Sequence, residues 1–300
     1  MEAIWKIASV EGANYPPLEG SVETDVVVIG AGITGLTTAL QLAEAGSRVT
    51  VLEALRVGEG CTGGSTGNLY STLANGLASI RDTWSDDVVN DVITSRSQAI
   101  DHIEATSERF GIDCEFRRQP LYRIVTSDDH ASVRALEKEQ DTMRGAGLTA
   151  SVINEESLSI PVPVHQGLKL DNQAQFNPLR YVQGLAQAVS GLGVLIHEHS
   201  PVREVDYAHG VVKTDAAEVT ARHIVHATHT PKGINMLQTG MVPSREYAVS
   251  AKLNGSPYPE GIFWMLDPFH SLRSYRHNDE AYFGAIGHCE RWQRHRDSNR

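Results

Sequence analysis

Positive charge is scarce in this chain. Its 300 residues carry 26 lysines and arginines against 37 aspartates and glutamates, a formal charge of −11, whereas a surface that neutralises phosphates concentrates cations. Nucleic acid is therefore not an expected partner. Long apolar runs are also missing: nothing approaches the roughly 18 residues of a spanning helix. Met1 to Pro17 mixes Glu2, Lys6, Glu11 and Asn14 with its apolar residues, unlike a secretory leader. The chain reads as soluble and cytoplasmic, with no membrane partner. Cysteine is rare, and the widely spaced Cys61, Cys114 and Cys289 suit neither a disulfide framework nor a metal centre. Histidine is more plentiful, with 13 residues, but no metal site is expected. His223, His226 and His229 fall on a strand-like segment whose side chains alternate, and His197 and His199 have no carboxylate or cysteine at ligand spacing.

The most regular segment lies near the front. Asp25-Val26-Val27-Val28-Ile29 is an apolar, mostly β-branched run, the signature of a strand buried on both faces of a parallel sheet. After Gly30 the period changes. Ile33, Leu36, Leu40 and Ala43 form a helical stripe ending at Gly46, and Arg48 to Leu52 is a second strand. This is a βαβ unit. Gly58 to Asn68 is too glycine-rich for a helix or strand and reads as a loop. Helical patterns follow over 84–110 and 129–144, with Cys114–Arg118 and Leu121–Val125 between them read as a hairpin. Asn177-Pro178 opens another helix to about Val189. Short strands are expected at 194–197, 202–206, 211–214 and 221–228, then strand-like runs with turns to about Gly287. The last ten residues, with four arginines, read as a solvated tail.

Gly30-Ala31-Gly32-Ile33-Thr34-Gly35 matches G-x-G-x-x-G between a buried strand and a helix, the context in which that pattern carries weight. The first glycine permits the tight turn, the second admits a pyrophosphate to the backbone, and the third allows close helix packing. The N–H groups of the helix N-terminus supply the anion site. Glu53, at the end of the second strand, is placed to accept from an adenosine ribose, and its carboxylate would repel a 2′-phosphate. The βαβ unit alone leaves FAD and NAD open.

The glycine loop after Glu53 narrows the choice, because its amides could lie along a larger cofactor. With it the sequence resembles the FAD-dependent oxidoreductases of the D-amino-acid oxidase and glycine oxidase (DAO) family. The carrying segments are Asp25–Gly35, Val51-Leu52-Glu53-Ala54, Gly63-Gly64-Ser65-Thr66-Gly67-Asn68, Pro201-Val202-Arg203-Glu204-Val205 and Ile224-Val225-His226-Ala227-Thr228. A nearer likeness is to the bacterial subgroup in which this module precedes a Rieske domain. Gly111 to Arg118, Phe176 to Tyr181 and Ser244-Arg245-Glu246-Tyr247 carry it. The resemblance implies FAD as cofactor, an α/β fold with a Rossmann-like FAD-binding domain, and a substrate domain with a mixed or antiparallel sheet. The implied cofactor contacts are Gly30, Gly32, Ile33, Thr34, Gly35, Glu53, Ala54, Gly64, Ser65, Thr66, Gly67, Asn68, Val202, Ala227 and Thr228. The expected division gives 1–82 and 178–235 to the FAD domain, 83–177 and 236–287 to the substrate domain, and 288–300 to the tail.

The likeness fades after Gly287, and no Cys-x-His pair of a Rieske centre occurs in the 300 residues. The expectation is a C-terminally truncated member lacking the Rieske part and the segment that closes over the flavin, unless a partner supplies that closure. Cys61 in the glycine loop reads as a small packing residue. For the substrate, a small amine or amino acid, the resemblance points to the second half. Arg245 or Arg273 is the candidate anchor for a carboxylate, with Tyr247 and His270 as polar neighbours. The expected activity is oxidation of a C–N bond with hydride transfer to flavin. A non-catalytic remnant that binds FAD weakly, and an NAD-linked dehydrogenase, are the alternatives; flavin retention and saturable NAD binding would separate them.

Overall fold

The computed structural model describes Trp5 and residues 12–154, 158, 160–230, 246–277 and 280–288. The front of the chain forms β1 (Val22–Ile29), α1 (Ile33–Glu44), β2 (Val49–Leu52), β3 (Asn68–Leu69), α2 (Ala78–Thr83) and α3 (Asp86–Phe110). Then come β4 (Arg117–Val125), α4 (His130–Gly145), β5 (Ala150–Ile153), β6 (Gln166–Gln175) and α5 (Pro178–Gly191). β7 (Leu195–His197), β8 (Glu204–Asp206), β9 (Val211–Lys213), β10 (Glu218–His226), β11 (Glu246–Lys252), β12 (Ile262–Leu266), β13 (Phe269–His277) and β14 (Glu280–His288) follow.

Local chemistry accounts for the helix ends. The Asn177 carboxamide oxygen accepts from the Leu179 and Arg180 amides at 3.1 Å each, ahead of Pro178 in the first turn of α5. Asp129 accepts from Ser132 N–H at 2.8 Å and caps α4. Asp86 and Asp87 occupy the first turn of α3 and Arg109 its last, each matching the sign of the helix dipole.

The described residues fall into two compact units. One takes in those within Met1–Gly67, Ile103–Phe116 and Phe176–Gln238, the other those within Asn68–His102, Arg117–Gln175 and Thr239–Arg300. The chain thus enters the second unit at Asn68, because β3 pairs with β6, not near residue 82. Residues 103–116, at the end of α3 and beyond, belong with the first unit: Asn177 N–H donates to Cys114 O at 2.7 Å, and Arg180 pairs with Glu115 at 2.9 Å.

The first unit is built on a six-stranded sheet of order β7-β2-β1-β10-β9-β8. β7, β2, β1 and β10 run parallel, while β9 and β8 are antiparallel additions. Val26, Val27 and Val28 are all buried, as a strand covered on both faces requires. Leu18, Val27, Ile29, Leu52, Val202, Val212, Val219 and Ala221 fill the core on one side. Leu36, Ala39 and Leu40 of α1 are buried too.

The second unit is an eight-stranded mixed sheet of order β11-β14-β13-β12-β4-β6-β3, with β5 beside β6. Among its described strands the one parallel pair is β12 with β4. Tyr122, Ile124, Phe263, Met265 and Leu272 pack on one face, and Leu121, Leu170, Ile262 and Trp264 on the other, so the strands alternate as a sheet covered on both sides must. The expected hairpin over 114–125 is instead one strand. β4 runs through Pro120 with a register shift between Gln119 and Leu121 against β6, the kind of irregularity that accommodates a residue without an N–H. β6 alternates the buried Leu168 and Leu170 with polar residues and then turns polar over 171–173. The tail from 289 on lies outside the described residues.

Candidate cofactor site

The turn after β1 is held from three sides. Gly30 takes φ +111° and donates its N–H to Leu52 O at 2.8 Å; a Cβ there would meet Ala227 O at 2.6 Å. Glu53 emerges from β2 with its N–H on His197 O at 2.8 Å, and its carboxylate turns back. Oε2 accepts from Ala31 N–H at 2.8 Å and Oε1 from Leu55 N–H at 2.9 Å. Each oxygen keeps a second lone pair. Glu53 is therefore oriented by the same turn whose glycines define the site.

At the start of α1, Leu36 N–H is the first to bond back inside the helix, to Gly32 O at 3.0 Å. The Ile33, Thr34 and Gly35 amides precede that ladder. Ile33 N–H donates to Thr62 Oγ1 at 3.1 Å, so the glycine loop folds back and its threonine caps the helix. Gly35 has the packing role: a Cβ would overlap the Gly30 carbonyl oxygen. Gly58, at φ +75°, touches α5, where a Cβ would lie 2.6 Å from Val182 Cγ2.

Behind the loop sits Glu198, 1% exposed. It accepts from Val57 N–H at 2.7 Å and Tyr15 N–H at 3.2 Å, with Arg56 Nε at 3.9 Å. Burial and the nearby Glu198 charge push the Tyr15 phenol above its ordinary value. Ser200 links the same region, donating to Glu198 O at 2.9 Å and accepting from Leu18 N–H at 2.8 Å.

These groups surround a cavity of about 450 Å³, room for part of a dinucleotide. Of the residues expected at the cofactor, Gly30, Gly32, Ile33, Thr34, Glu53, Ala54, Ser65, Val202, Ala227 and Thr228 line it. Gly35, Gly64, Thr66, Gly67 and Asn68 do not; Asn68 belongs to β3 in the second unit. Thr62, Ser200 and Gly58 line the cavity without having been singled out from the sequence. No short motif marks them, since the fold-back of the loop brings them there. Cys61 is exposed and lines the cavity rather than packing in a core. Gly63-Gly64-Ser65-Thr66-Gly67 spells G-x-S-x-G, but its serine lies in a loop, accepting from Gly67 N–H at 3.2 Å, and not on a strand-to-helix elbow.

The substrate candidates separate. Arg245 lies outside the described residues. Tyr247 on β11 and His270 on β13 both pair with Gly287 of β14 and so share one face of the sheet. Arg273 is in register with Ile262, on the opposite face. His270 Nδ1 is 2.6 Å from Phe269 O; a carbonyl only accepts, so that nitrogen carries a proton.

A parallel sheet with a G-x-G-x-x-G turn, an acid at the end of the next strand and a cavity at the carboxyl ends of the strands defines a dinucleotide-binding α/β fold. The residues present fit the adenosine diphosphate end of such a cofactor: glycine where a side chain would fill the approach, amides at a helix start, and an oriented carboxylate. Residues 25–298 match the FAD dependent oxidoreductase family, DAO, and the chain belongs to it. FAD, not NAD, is accordingly its cofactor.

The chain is similar to YhfW of Bacillus subtilis (strain 168), named as a Rieske 2Fe-2S iron–sulfur protein. The two are 28% identical over 302 residues, covering 96% of this chain and 57% of that protein. It is also similar to gamma-glutamylputrescine oxidoreductase of Escherichia coli (strain K12), 30% identical over 223 residues, covering 72% of this chain and 51% of the relative. Among solved structures, glycine oxidase from Geobacillus kaustophilus superposes with a TM-score of 0.69 at 19% identity, over 89% of this chain and 71% of the other; at that identity the likeness is one of fold. The chain spans about half the length of the curated relatives it matches. Among the described residues no helix is long and apolar enough to cross a membrane.

Proposed function

We propose that the chain takes part in oxidation of the C–N bond of an amino acid or amine. Bound FAD supplies the hydride acceptor. The α1 amides and the Gly30–Gly32 turn hold the pyrophosphate, Glu53 takes a ribose hydroxyl on a free lone pair, and Thr62 steadies the loop over the helix start. The observation that carries this reading is the Glu53 carboxylate bonded to Ala31 N–H at 2.8 Å in a cavity lined by the same turn, in a chain of this family.

On the substrate side, Tyr247 and His270 are the proposed contacts, supported by their common face. The amine must be neutral before its C–H bond breaks, and His270 Nε2 is the acceptor for that proton. Arg273, on the other face, is not proposed to work with them.

The test is to purify the chain, record its visible spectrum and titrate it with FAD. Bound flavin that bleaches anaerobically on adding an amine or amino acid is expected. His270→Phe should slow bleaching without changing FAD affinity. A chain that neither carries nor binds FAD would sink the proposal, and one that binds FAD but never bleaches with any amine would sink its substrate half.

A further inference from the structure

Among the described residues, the strands at the sheet edges differ in length. β7 and β8, at the ends of the first sheet, have three residues each, and β3, at one end of the second, has two. Short edges offer little to pair with. β11 ends the second sheet with seven residues, Glu246-Tyr247-Ala248-Val249-Ser250-Ala251-Lys252, and no described strand pairs with its outer side. It has no proline, its register with β14 is unbroken, and no charge interrupts Tyr247 to Ala251. Every residue in it is exposed, Val249 by 71%.

Which backbone groups face outward follows from the ladder. Leu253 N–H donates to Ala281 O at 2.9 Å, one step beyond the Lys252–Tyr282 pair. In an antiparallel pair, alternate residues turn both N–H and C=O toward the partner. Residues 247, 249 and 251 therefore face β14, while Glu246, Ala248, Ser250 and Lys252 turn theirs outward. That outward set is symmetric about Val249.

We propose that β11 is a dimerisation edge, joining two copies of this chain antiparallel about a two-fold axis at Val249. In that register Ala248 exchanges two backbone hydrogen bonds with Ser250 of the other copy, and Glu246 does the same with Lys252, so all four outward residues are matched. Glu246 lies opposite Lys252 at both ends, although the Lys252 ammonium is already paired with Glu280 of β14 in its own copy, so the match rests on the backbone register and on Val249. On the face bearing Val249, the two valines meet as a non-hydrogen-bonded pair, the closer kind, and each Tyr247 lies beside the other copy's Ala251. The contact is isologous and closes on itself, which gives a dimer and not a fibre. One strand pair buries little area, so the dimer dissociates on dilution. This inference does not depend on FAD or on the reaction.

The measurement is sedimentation equilibrium of the whole chain across a dilution series from micromolar to hundreds of micromolar. The expected result is a monomer–dimer equilibrium. Val249→Asp sets two carboxylates face to face, and Ala248→Pro removes an outward N–H that the β14 ladder does not use; each should weaken association at least tenfold with circular dichroism unchanged. Val249→Cys should form a disulfide between copies, located by peptide mapping, because a non-hydrogen-bonded pair has Cα atoms about 4.5 Å apart. Ser250→Cys should not. A wild-type monomer at every concentration overturns the proposal, as does a dimer that Val249→Asp leaves intact. Should Ala248→Pro fail to fold, Val249→Asp and the crosslink decide alone.

Discussion

Both units hold a loop in place with a buried charge, but the loops differ in what they leave open. In the first, Glu198 gathers the Val57 and Tyr15 amides and so fixes the chain that leads into the glycine loop. In the second, Arg123 and Glu139, 4% and 3% exposed, reach from β4 and α4 to one stretch. Arg123 donates to Leu73 O at 2.8 Å and Ala74 O at 3.1 Å, and Glu139 accepts from the Leu77 and Ala78 amides at 2.9 Å each. Burial works against the Arg123 charge and lowers its pKa from the ordinary value. The devices are alike: a buried ion whose partners are backbone groups. In the first unit the held loop ends in glycines that line a cavity. A buried charge is thus a mark of loop anchoring, and becomes part of a site only where the anchored loop leaves its own polar groups unused.

The sharpest way to test that contrast is at the glycines. Gly32→Val fills the pyrophosphate approach, with its Cβ 2.9 Å from Thr62 Oγ1, and should abolish FAD retention. Gly64→Ala, with nothing nearer than 3.7 Å, should leave the flavin spectrum unchanged. Removing the second unit's anchor comes next. Arg123→Met leaves the Leu73 and Ala74 carbonyls without their donor and should cost about 3 kcal/mol, read as a fall of several degrees in Tm, while FAD affinity measured by fluorescence quenching stays constant.

Glu198→Gln should be milder in stability, about 1–3 kcal/mol, because one of two buried amides loses its acceptor. Unlike Arg123→Met, it should also weaken FAD binding; equal affinity in both variants would break the distinction drawn between the loops. Thr62→Val removes the cap on Ile33 N–H, with an expected loss of about 1 kcal/mol in chemical denaturation. The smallest effect is at the surface. Hydrogen bonds from Arg48 and Arg222 hold the Asp25 carboxyl well below the usual carboxylate range. Its folded pKa is depressed, so its contribution is present above about pH 4, its unfolded value, and is lost as pH falls through the folded one. Asp25→Asn should lower stability slightly at neutral pH and leave it unchanged in strong acid, which flattens the acid side of the stability–pH curve.

Legibility followed the range of the interactions. The β1-α1-β2 unit could be read directly, since a buried strand, a glycine turn and an amphipathic helix are each set by residues a few positions apart. Glu53 was readable for the same reason. Thr62 was not: it sits 29 positions from the amide it caps, and only the return of the loop joins them. The hairpin expected over 114–125 failed because Pro120 looks like a break, while the neighbouring strand β6, with its polar composition, tolerates the register shift that lets β4 continue. The substrate candidates separated because face is a matter of register: Tyr247 and His270 meet across Gly287, and Arg273 does not.

By itself the amino-acid order determined the β1-α1-β2 unit and its glycine turn, because a buried strand, a tight turn and an amphipathic helix are local properties. The tertiary structure alone decided which residues of the glycine loop reach the cavity, which face of the second sheet each candidate occupies, and that no described strand pairs with the outer side of β11. Those outcomes depend on pairing between strands far apart in the chain, where a shift of one residue turns every side chain to the other face.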